Sequence, residues 1–76
     1  MNRELKMANF FENRVLKAVT PALNTGDRAE FFADTGTLFV TTNVPGMSKV
    51  VSLLSKAGVG NFKVSRVGDE FAVDFI

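Results

Sequence analysis

Residues 61–76 read NFKVSRVGDEFAVDFI, two runs of alternating apolar and polar residues folded about Gly68-Asp69. A period of two marks a strand with one buried side, and a Gly-Asp pair between two such runs marks a tight turn. Pairing outward from a two-residue turn sets Val64 opposite Val73 and Phe62 opposite Phe75 on one face. Lys63 then meets Asp74 on the other face, where opposite charges suit water. The chain therefore builds a sheet with a defined buried side.

A second hairpin precedes it. RAEFFAD and TLFVTT flank Thr35-Gly36 and are rich in Phe, Val and Thr. A two-residue turn predicts the pairs Ala33–Leu38 and Phe31–Val40 on one face and Phe32–Phe39 on the other, since successive side chains alternate across a strand. A bulge or a longer turn would change that register.

Two helices complete the pattern. Leu5, Ala8, Phe11, Val15, Ala18 and Val19 recur at steps of three and four between about Asn2 and Val19. Asn2 suits the N-cap, and Thr20-Pro21 ends the helix because the residue before Pro is pushed out of the α region. Met7, Phe10 and Leu16 widen this stripe, which reads as a broad core face, with a groove for a partner as the alternative. Asn24-Thr25-Gly26-Asp27 turns the chain. After Asn43-Val44-Pro45-Gly46, the segment MSKVVSLLSKA sets Met47, Val50, Val51, Leu54 and Ala57 on one helical face and Ser48, Ser52, Ser55 and Lys56 on the other. Gly58 is a natural stop.

The order is thus αββαββ, in one α+β domain spanning residues 1–76. The connection from TLFVTT through the second helix to NFKVSRV is a crossover that leaves a gap, and EFAVDFI fills it. With the strands lettered in chain order, the expected sheet is A-B-D-C and antiparallel, with both helices on the face of Phe31, Val40, Phe62, Val64, Phe71, Val73 and Phe75. In shape this is a circularly permuted ferredoxin-like sandwich, its last helix and strand moved to the front. The competing order is A-B-C-D, with B and C parallel.

Composition bounds the function. A chain of 76 residues has material for one core, and eight Phe with no Trp or Tyr furnish large side chains that need no buried hydrogen-bond partner. The absence of Cys excludes disulfides, and the charged start MNRELKMANFFENRVLKAV has no signal-peptide h-region, so a cytoplasmic location is expected. No segment approaches the roughly 20 apolar residues of a membrane span, and no membrane partner is expected. Without His or Cys, the chain lacks the usual general base near neutral pH, the thiolate nucleophile, and the N and S ligands of zinc. Glu30 and Asp34 stand about 13 Å apart along a strand, too far for one carboxylate site. No catalytic residue, metal site or cofactor is assigned, and the chain is read as not an enzyme.

Three surfaces remain. TTNVPGMSK leads from a strand into a helix that opens with Ser48 and Lys49, a weak anion-site pattern that lacks the GxxxxGK[ST] loop. Lys49, Lys56, Lys63 and Arg66 are the only charges between Met47 and Val67, which makes nucleic acid the alternative partner, although Lys63 falls on the far side of the sheet. The open sheet face displays Phe32, Phe39, Ala72 and Ile76 as interface candidates, beside Asp74. RNA-binding sheets stack bases on aromatics of both central strands, whereas Ala72 and Asp74 occupy one of them here. The leading expectation is a small protein-interaction module that docks on a protein or a second copy through this face. Size alone suits a bacterial or bacteriophage accessory protein.

Overall fold

The computed structural model describes residues 3–76, with side chains from Phe10 onward. Helix α1 spans Arg3–Val19 and runs into a 3-10 turn at Thr20–Ala22. Strands β1 (Arg28–Phe32) and β2 (Thr37–Thr41) follow, then helix α2 (Val44–Ala57), and strands β3 (Phe62–Val67) and β4 (Glu70–Phe75). The sheet order is β1-β2-β4-β3, antiparallel throughout, as the crossover and the strict alternation of the last strand require. Asn2 and the side chains of Leu5, Met7 and Ala8, assigned to the cap and stripe of α1, lie outside the described residues. Among the described residues no helix is long and apolar enough to cross a membrane.

The terminal hairpin has the register its sequence predicts. Val64 pairs with Val73, Phe62 with Phe75 and Lys63 with Asp74, about a turn in which Gly68 takes φ +60°. The first hairpin departs from expectation by two residues. Phe31 pairs with Leu38, Ala29 with Val40, Glu30 with Phe39 and Phe32 with Thr37. The turn occupies four residues, Ala33 to Gly36; Gly36, at φ +66°, donates its N–H to the Phe32 carbonyl at 2.9 Å. A slip of two conserves sidedness. Phe32 and Phe39 therefore still share the face away from the helices, as diagonal instead of directly opposed neighbours.

Helix α2 begins three residues before the expected Met47. Asn43 caps it, its Oδ1 accepting from Gly46 N–H at 2.8 Å, and Pro45 fits the first turn, where an N–H would have no intrahelical partner. Gly58, at φ +67°, closes the other end, and Arg14 of α1 donates to the Ala57 carbonyl at 2.8 Å. A cation at that terminus meets the negative end of the helix dipole and ties the two helices together.

Val15 and Val19 of α1, Leu38 and Val40 of β2, Val50 and Leu54 of α2, and Val73 of β4 are fully enclosed. At one end Phe11 closes the core against Phe31 and Phe75, with Phe62 alongside Phe75, ring centroids being 5.2 to 6.1 Å apart. Two residues expected in the core are exposed: Phe10, which lies off the buried stripe of α1, at 68%, and Val64 of β3, at 42%. The strand of Val64 lies at the sheet edge, so sharing the inner face is not enough to bury it.

Candidate functional site

Among the described residues, no element covers the face opposite the helices. Alternation places Phe39 of β2, Ala72 of β4 and Ser65 of β3 in one row across the sheet, because Phe39 pairs with Ala72 and Ala72 with Ser65. Ala72 has the shortest side chain of the three and becomes a floor, only 4% exposed although no helix lies over it. Phe32, 41% exposed, stands beside Phe39 with ring centroids 5.5 Å apart and planes at 84°, the edge-to-face arrangement that aromatic quadrupoles favour. Together with Thr35, Val67 and Asp34 these residues surround a groove of about 450 Å³. A second depression, about 220 Å³, lies on the other flank of the aromatic pair between Glu30 and Glu70.

The carboxylates have definite settings. Thr37 donates its hydroxyl to Asp74 Oδ1 at 2.7 Å, and Thr41 donates to Glu70 Oε1 at 3.2 Å, so both central-strand acids are oriented by the neighbouring strand. Glu30 and Asp34 are exposed. Asp34, expected on the strand with Glu30, instead belongs to the four-residue turn and lines the groove. Turn length brings it there, and apolar alternation carries no signal for turn length.

The other interface candidates divide. Ala72 sits in the groove, whereas Ile76 is 81% exposed beyond the end of β4, where its N–H donates to the Asn61 carbonyl at 3.0 Å, and it does not line the groove. The four cations do not form one patch. Lys49 and Lys56 are exposed on α2, Lys63 is on the open face opposite Asp74, and Arg66 is on the helix side of β3 with its guanidinium 4.9 Å from the Phe71 ring centre. The start of α2 is also committed internally, since Gly46 N–H bonds Asn43 Oδ1 and Met47 N–H bonds the Asn43 carbonyl at 2.9 Å. These two donors are therefore not available to an anion. Among the described residues no group of three or more acids converges on a metal position.

No family model, curated protein or solved structure matches this chain.

Proposed function

We propose that the chain is a non-enzymatic protein-interaction module that docks through the open face of its sheet, as a small cytoplasmic accessory protein of a bacterium or bacteriophage. The observation that carries this is the Phe32–Phe39 pair, Phe32 exposed and Phe39 half-buried, forming one wall of a groove on the side without helices. Aromatic side chains at the centre of an apolar depression are the usual anchors of a protein contact, because they bury a large area for little lost rotamer freedom. A nucleic-acid surface has less behind it. Lys49 and Lys56 share α2, whereas Lys63 and Arg66, both on β3, face opposite sides of the sheet, and two phosphate contacts give a salt slope of roughly two, small beside those of dedicated binders.

A photo-cross-linking residue placed at Ser65, beside the groove, is expected to capture a protein in the native cells; the same group at Ser52, exposed on α2, is not. Phe32→Asp should abolish the Ser65 adduct. The adduct's mass separates a second copy from a different protein. Adducts from Ser52 alone, or none from Ser65, would overturn the proposal.

A further inference from the structure

The charges around the aromatic pair define what the groove can accept. Asp34 and Asp74 line the larger depression, Glu30 and Glu70 the smaller, so the Phe32–Phe39 pair has two carboxylates on either flank. Against these four, the strands present two cations to the same face, Arg28 on β1 and Lys63 on β3, which leaves the face at −2. A ring face and a carboxylate both attract a cation, and a guanidinium can lie flat on the one while bonding the other. We propose that the groove takes a cationic, partly apolar segment of another protein. An Arg or Lys stem lies along Phe32 and Phe39 with its charged end among the carboxylates, and a neighbouring apolar side chain occupies the floor at Ala72 and Val67. This inference rests on the open face being the docking surface.

The same charges disfavour a second copy. A two-fold axis through this face would bring −2 against −2 at close range, where like charges oppose association. Size points the same way. Four strands about 4.8 Å apart and five residues long offer a footprint of roughly 300 Å² in projection, and doubling it for side-chain relief still falls short of the ~800 Å² per partner of a standard stable interface. A segment fits that footprint better than a folded copy, and a polyanion is repelled by it.

The test is an amide NMR titration of the full chain with two short peptides, one alternating Arg with Phe and Val and the other carrying Glu in place of each Arg, and with a thymidine oligonucleotide. The Arg peptide is expected to shift the amides of Phe32, Phe39 and Ala72. Its affinity should fall about tenfold in Glu30→Gln/Asp34→Asn, the loss of roughly one charge-assisted contact, and stay unchanged in Lys49→Gln. Glu30→Lys/Asp34→Lys should invert the preference between the peptides. Unchanged core amides in each variant establish that the fold is retained. Equal response to the Glu peptide, preferential response to the oligonucleotide, or insensitivity to Glu30→Gln/Asp34→Asn overturns the cationic inference while leaving the docking face intact. Shifts of the same amides on concentrating the protein alone identify a second copy and also overturn it. Silence of this face toward every probe, with adducts only from Ser52, removes the docking reading itself.

Discussion

Val64 and Val73 are the same residue type, directly paired across β3 and β4, and the sequence treats them alike. Their surroundings differ, since Val73 is fully enclosed and Val64 is 42% exposed. Periodicity reports which side of a strand a residue occupies, not whether a second layer reaches that far. Val73→Ala should therefore cost about 2 kcal/mol, combining the lost transfer of two methyl groups with the cavity left behind. Val64→Ala should cost less than about 0.5 kcal/mol, as an exposed substitution does. Urea unfolding of both variants checks the contrast, and equal midpoints would mean that β3 is covered in solution. Six of the eight phenylalanines divide in a similar way: Phe11, Phe31, Phe62 and Phe75 form one cluster, whereas Phe32 and Phe39 pair on the opposite face of the sheet. That division was legible because it follows sidedness alone.

At the level of elements, sidedness, strand order and the terminal hairpin's two-residue turn were legible, whereas the length of the first hairpin's turn and the start of α2 were not. The two-residue slip of the β1–β2 hairpin arises where Gly36 closes a four-residue loop, and the early start of α2 arises where Asn43 outcompetes a Pro-Gly turn as an organising residue. Both depend on local hydrogen bonds that apolar patterning does not encode. The junction before α2 is also held from outside, because Thr42 donates to Asp27 Oδ2 at 2.8 Å and that oxygen accepts from Asn24 N–H at 2.8 Å. A methyl group on Gly46 would collide with Thr42 Oγ1 and disturb this link. Asn43→Ala is expected to lower stability by about 1 kcal/mol through loss of the cap. Gly46→Ala, a gain in helix propensity on paper, should lower it by about 1–3 kcal/mol through overpacking. Thermal unfolding followed by circular dichroism distinguishes these outcomes, and a stabilised Gly46→Ala would show that Thr42 moves aside freely.

For the molecule as a whole, the A-B-D-C order could be reasoned from crossover length, but the groove could not, since it requires four strands, one turn and their charges at once. Stability should also be graded across the sheet. About a two-residue turn, Val67 and Glu70 exchange both hydrogen bonds, and the bond from Ile76 to Asn61 continues that alternation; the N–H groups of Phe62, Val64 and Arg66 then point away from β4. Hydrogen exchange at Leu38, Val40, Phe71 and Val73 should consequently be slower by orders of magnitude than at those three outward amides. Comparable protection at Val64 would reveal a strand paired to β3 in solution. A sheet with two bare margins is a tile, and β3 of one molecule laid against β1 of the next would repeat along a line without ever closing. Lys63 on one side of that margin and Arg66, inward-pointing, on the other are the kind of charges that deter such tiling. Two of the four cations that suggest nucleic acid in the sequence thus stand on the unpaired margin of β3, one on either face of the sheet, where they oppose edge-to-edge pairing.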